Sequence, residues 1–205
     1  MSNQGARRRL QAPALTLAAL LPLVAHAGGY NEAVSGDLSN SGLTPTAVTL
    51  TVGSNQVTGT TGNVGGVDRD YFTFTLPAGW QLDAVTVMAG TTTGGSSSFI
   101  GVAAGNQVTT VPTAGTAVGL LGWTLYSTEM IGTNLLPQMS LPELGSSGFT
   151  PPLGAGTYSF WVQETAQGAV TYNFDFSVSA VPEPGALALW AAGLAGLAAL
   201  RRRRA

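Results

Sequence analysis

Two stretches toward the end of the chain alternate between apolar and polar residues with a period of two. In 157–164, Tyr158, Phe160 and Val162 share one parity. In 170–179, Tyr172, Phe174, Phe176 and Val178 share one, and Asn173, Asp175 and Ser177 take the other. Successive side chains of a strand point to opposite faces, so each stretch reads as a strand with one buried face. An amphipathic helix would repeat its apolar residues every three to four positions instead. A sheet face this rich in aromatic residues must be covered by a second layer. Ala166-Gln167-Gly168-Ala169 reads as a turn, so the two strands are expected to form an antiparallel hairpin.

The pattern recurs upstream. In 70–76, Phe72, Phe74 and Leu76 point one way and Tyr71, Thr73 and Thr75 the other, after which Pro77-Ala78-Gly79 turns the chain. Segments 46–52, 82–88, 99–103, 107–111 and 118–126 are further strand candidates. Nothing between 28 and 180 has a convincing helical period. The expected fold is all-β, an antiparallel two-sheet β-sandwich of the jelly-roll or immunoglobulin-like sort. The longest stretch without a strand pattern is 127–153, which holds Pro137, Pro142, Pro151 and Pro152. Its Met130, Ile131, Leu135, Leu136 and Met139 are apolar enough to pack down as a cover for a sheet or an edge. The alternative is a functional loop.

Charge divides the chain into three parts. All eight basic residues are arginines, and every one except Arg69 lies at an end: Arg7, Arg8 and Arg9, or Arg201, Arg202, Arg203 and Arg204. The middle is acidic, which argues against nucleic acid or an anionic membrane face as partner. Residues 1–27 have the layout of a signal peptide for the secretion machinery: a basic start, an apolar run over 10–24, and a small-residue cleavage site at Ala25-His26-Ala27. Residues 185–200 are uncharged and apolar and lead directly into the terminal arginines. A helix there would be about 24 Å long, short for a hydrocarbon core of about 30 Å but insertable with local thinning. Four arginines resist translocation, so both ends start on the cytoplasmic side and the middle lies across the inner membrane. The expected organisation is a signal helix over 1–27, a secreted β-domain over 28–180 and a hydrophobic-helix tail over 181–205.

Val181-Pro182-Glu183-Pro184, the apolar stretch and the arginine cluster resemble, in that order, the PEP-CTERM family of sorting tails. The resemblance implies recognition by an exosortase, an integral membrane transpeptidase-like enzyme, and loss of the tail after a transient stay in the inner membrane through 185–200. It also implies a Gram-negative host that makes exopolysaccharide. Val181, Pro182, Glu183, Pro184 and Arg201 to Arg204 would then be recognition elements, with the two prolines holding the junction extended. A permanent membrane anchor is the plainer reading of the same tail. Residues 68–79 (Asp-Arg-Asp-Tyr-Phe-Thr-Phe-Thr-Leu-Pro-Ala-Gly) and 154–158 (Gly-Ala-Gly-Thr-Tyr) resemble the bacterial pre-peptidase C-terminal domain, a small β-sandwich found beside secreted enzymes.

Chemistry is constrained by what the middle lacks. The single histidine is His26, and there is no cysteine and no lysine. That removes Ser-His-Asp and Cys-His arrangements, Schiff-base lysines and ordinary zinc sites. No Gly-rich loop opening a helix suggests a nucleotide, so no cofactor is expected. Paired carboxylates leave a glycoside hydrolase as a distant alternative, and no motif marks such a pair. Asp68 and Asp70 lie two apart at a strand start and could hold Ca²⁺. Arg69 and turn hydrogen bonds are their plainer partners, and with no full loop motif no metal is expected. Trp161 and Tyr71 fall on the parity opposite the aromatic face, where they could stack on sugar rings or be packed under a cover. The expectation is a non-catalytic envelope or matrix protein, with a carbohydrate-binding module for exopolysaccharide as the alternative.

Overall fold

The protein is described by a computed structural model over residues 28–182. In chain order the elements are β1 (Gly28–Asn31), α1 (Glu32–Ser35), β2 (Thr46–Ala47), β3 (Asn55–Gly62), β4 (Arg69–Leu76), β5 (Trp80–Val87), β6 (Ser98–Ala104), β7 (Gly122–Tyr126), α2 (Leu136–Met139), β8 (Gly156–Glu164) and β9 (Ala169–Ala180). They form a four-stranded sheet in the order β1-β3-β9-β5 and a five-stranded sheet in the order β2-β4-β8-β6-β7. The fold is mostly strand in two packed sheets, as the alternation requires. The expected helices at either end lie outside the described residues.

Two expectations need correction. The sheets are mixed, because the short edge strands β1 and β2 pair parallel with β3 and β4. The hairpin does not form. β8 pairs with β4 and β6, whereas β9 pairs with β3 and β5, so residues 165–168 carry the chain from one sheet to the other. Period two reveals that each strand has a buried face. It cannot tell whether two such faces lie side by side in one sheet or oppose each other across a sandwich. Here they oppose: Phe160 of β8 meets Phe176 of β9 edge-to-face with ring centroids 5.1 Å apart.

The core is therefore aromatic. Phe72, Phe74 and Phe160 stack along one sheet, and Phe72, Phe74 and Phe160 each meet Phe176 of the other edge-on. Each buried phenyl is worth about 1.5–3 kcal/mol by area, with about 0.5–1.5 kcal/mol more for a well-placed ring pair.

Two irregular segments complete the molecule. Residues 127–153 run along β5: Gly132 N–H donates to Val87 O, Leu135 N–H to Val85 O, and Leu82 and Leu153 exchange a pair of bonds. This satisfies the free edge of the four-stranded sheet, and Leu135, Leu136 and Met139 seat fully in the core. The segment is a cover, as its apolar residues imply, although Ile131 stays exposed. The second segment, 105–121, lies over the outer face of the other sheet. The strands expected at 46–52, 107–111 and 118–126 shrink to Thr46–Ala47, to none, and to Gly122–Tyr126. In 107–111 the one large buried residue, Val108, packs downward while its N–H donates to Gly42 O.

Register fixes which end of the domain carries what. Gly28 lies opposite Asn55, Gln56 opposite Asp175, and Trp80 opposite Ala180. The start of β1 and the end of β9 thus lie at one end of the four-stranded sheet. The start of β4 and the end of β8 lie at the other, with Arg69 opposite Gln163.

Candidate functional site

At that far end, Asp70 continues the parity of Phe72, Phe74 and Leu76 and so points inward. Its cross-strand partner is the core residue Val162. Asp70 is fully buried, and neither carboxylate oxygen has a hydrogen-bond partner. Arg69 does not serve it, because its Nε donates to Gln163 Oε1 at 2.6 Å. Asp68 lies half-exposed where the 63–67 loop closes, and its backbone exchanges bonds with Gly62. The expected pair of Asp68 and Asp70 with turn partners is therefore not what forms.

Asp70 instead meets two acids from the N-terminal part of the domain. One carboxylate oxygen each from Glu32, Asp37 and Asp70 lie within 4.8 Å of one another. Glu32 follows directly on β1, and its side chain takes over where that edge strand stops. Its Oε2 accepts the free Thr60 N–H of β3 at 2.7 Å, and its Oε1 accepts Leu38 N–H at 2.8 Å. Asp37 is exposed at the mouth. Gly59 makes the approach from β3 feasible: a Cβ there would lie 2.5 Å from the Tyr172 hydroxyl and 2.9 Å from Asp70 Oδ2. That hydroxyl is itself buried without a hydrogen-bond partner; it lies beside Asp70 without reaching bonding geometry.

Burial pushes Asp70 up to about 8, and the neighbouring charges of Glu32, Asp68 and Asp37 add to the rise, while the adjacent Tyr172 hydroxyl offsets part of it. Burial raises Glu32 as well, against the two backbone donors that favour its charged form. Burial and then the Asp70 charge drive Tyr172 far up.

The aromatic candidates have a different fate. Tyr71 and Trp161 are cross-strand neighbours stacked at 5.7 Å, but they are only 3% and 5% exposed. Residues 105–121 cover them through Val108, Ala117 and Leu120. Burial, partly offset by Arg69, pushes the Tyr71 hydroxyl up to about 12. Neither ring forms an open platform. Beside them, a pocket of about 200 Å³ is lined by Phe99, Trp123, Leu120, Leu144 and Trp161, with Phe99 and Trp123 stacked at 5.8 Å.

The third region is the exit. Ala180 pairs with Trp80, and Val181 N–H donates to Gly79 O at 2.7 Å. Val181 and Pro182 are exposed. Glu183, Pro184, Arg201 to Arg204, the apolar stretch 185–200 and the cleavage residues Ala25 and Ala27 lie outside the described residues. Among the described residues no helix is long and apolar enough to cross a membrane.

Residues 180–204 match the family model of the PEP-CTERM protein-sorting motif. The chain carries a PEP-CTERM sorting tail. It is accordingly an exported protein, with an exosortase as processing partner and the cell surface or extracellular space as destination. The PEP-CTERM match begins at the last residue of β9, so tail and domain join without a spacer. No curated protein and no solved structure matches the chain. The likeness of 68–79 and 154–158 to the pre-peptidase domain gains no support from these comparisons.

Glu32 and Asp37 escape sequence reasoning because parallel pairing of β1 with β3 brings them to Asp70, and no local pattern announces it. The inward direction of Asp70 is written in its parity with Phe72.

Proposed function

We propose that this is a non-catalytic envelope or matrix protein of an exopolysaccharide-producing Gram-negative bacterium. Export begins at a signal peptide over 1–27, cleaved after Ala27. The tail holds the chain in the inner membrane through 185–200 until an exosortase acts near residues 181–184. The β-domain then works at the outer surface through its fold and attachment. The observation that carries this reading is the sorting motif starting where β9 ends. β9 is a central strand between β3 and β5, and its last residues are held on the β5 side, Ala180 opposite Trp80 and Val181 N–H on Gly79 O. Support against a catalytic role is the absence of histidine, cysteine and lysine from residues 28–182.

The test is intact mass of the native protein from envelope and culture medium. The expected species starts near Gly28 and ends within 181–184, with any added mass reporting attachment or glycosylation. A dominant species that keeps 186–204 sinks the processing and leaves a membrane-anchored domain.

The pocket beside half-buried Phe99 and Trp123 favours one second reading, glycan binding, because rings of this kind stack on sugar faces. Saturable binding of the host polysaccharide that is lost in Trp123→Ala, with the fold intact, is the outcome that reading requires.

A further inference from the structure

Three carboxylates from separate elements converge on one point, and the innermost has nothing to bond. We propose that Glu32, Asp37 and Asp70 bind one Ca²⁺ ion, which ties the N-terminal turn of one sheet to β4 of the other. Ca²⁺ takes six to eight oxygens at about 2.3–2.6 Å, so oxygens sharing one ion are at most about 5 Å apart. The three carboxylate oxygens meet that limit, all lying within 4.8 Å of one another.

The convergence is not a chance grouping on a solvated surface. Asp70 is fully buried with both oxygens unpartnered, and the buried Tyr172 hydroxyl beside it is unpartnered too. A carboxylate in that position is costly unless something positive meets it. Arg69 is turned to Gln163, and no other basic residue exists between 28 and 182. Glu32 is prearranged by Leu38 and Thr60 N–H donors, which hold its carboxylate toward the site and leave lone pairs for a cation. Asp37 is exposed and provides the way in.

The donor set selects the ion. All three donors are carboxylate oxygens, which suit hard cations, and the described residues hold neither histidine nor cysteine for zinc or copper. Mg²⁺ demands a near-ideal octahedron and sheds water reluctantly, whereas Ca²⁺ tolerates an irregular cage completed by water and carbonyls. Extracellular Ca²⁺ modules work with dissociation constants of about 10⁻⁴–10⁻³ M, matched to the compartment the sorting tail addresses.

The experiment uses the full chain in detergent, stripped with EGTA and then titrated with Ca²⁺ or Mg²⁺ by calorimetry and thermal unfolding. The expected result is one Ca²⁺ per chain and a rise in Tm on the order of 5–10 °C at a hundredfold excess over Kd, with a smaller response to Mg²⁺. Asp37→Asn, at an exposed position, should weaken binding at least about tenfold by loss of one charged ligand while leaving Tm in EGTA unchanged. Asp70→Asn should abolish the Ca²⁺ response without lowering Tm in EGTA. No saturable binding, an equal shift with Mg²⁺, or wild-type affinity in Asp37→Asn would each overturn the proposal.

Discussion

Two buried acids stand at the same end of the same sheet and are treated in opposite ways. Glu164, at the end of β8, is 2% exposed and surrounded by donors. Gly94 N–H and Ser98 Oγ–H donate to its Oε2, and Ala166 N–H to its Oε1. Asp70, at the start of β4, is 0% exposed and accepts no hydrogen bond. Burial acts upward on both. At Glu164 the donors together outweigh it and hold the carboxyl below its usual range; at Asp70 they are missing and the carboxyl rises. A saturated buried carboxylate is architecture, since it organises two loops around itself. The unsaturated one organises no loop, and it is the carboxylate that lies against Glu32 and Asp37.

The sharpest way to break this contrast is to remove the architectural acid. Glu164→Ala would strand three donors at the crossing between the sheets, and should cost roughly 3 kcal/mol in urea unfolding, against a wild-type control. The sign of its pH dependence follows from the lowered pKa. Its contribution is fully present above the ordinary glutamate value of about 4.3, and is lost as pH falls through the lower folded value. Glu164→Gln should therefore flatten the stability curve in that acid window. An unchanged curve would mean that the carboxylate does not hold the loops.

Gly59→Ala presses on the other acid. Its Cβ would enter the space of the Tyr172 hydroxyl at 2.5 Å and Asp70 Oδ2 at 2.9 Å, both buried side chains. Overpacking of this kind costs about 1–3 kcal/mol, and the displaced Asp70 should also lose its approach to Glu32 and Asp37. A variant as stable as the parent would show that this end of the sandwich has slack.

How far the sequence led can be judged at these residues. The inward faces of β4, β8 and β9 were legible because large aromatic residues alternate without interruption. The same parity, carried one step further, places Asp70 and Glu164 on the core side. The partner sheet of each strand was not legible, since a four-residue connection fits a hairpin or a crossing equally well. β3 also gave little signal: Asn55 to Gly62 holds Val57 as its one large apolar residue, and its strand character comes from pairing with β9. The sorting tail was legible in full because its parts are contiguous, whereas the carboxylate cluster is assembled by tertiary structure from residues 32, 37 and 70.

Asp70→Asn is the mildest change and the one that separates the two acids most cleanly. In chelator, the wild-type carboxyl binds its proton more tightly folded than unfolded. Between the unfolded value of about 3.9 and the folded value of about 8, the native state carries the extra proton. Stability contributed by this group is therefore full below pH about 4 and declines as pH rises through 8, the reverse of Glu164. An amide of the same shape carries no ionisation penalty, so Asp70→Asn should be at least as stable as the parent at pH 8 in chelator and show no decline over that window. Urea titrations at pH 5 and pH 8 decide it. If Asp70→Asn instead destabilises the domain at both values as Glu164→Ala does, then Asp70 is a structural acceptor like Glu164, and the distinction between a saturated and a waiting carboxylate disappears.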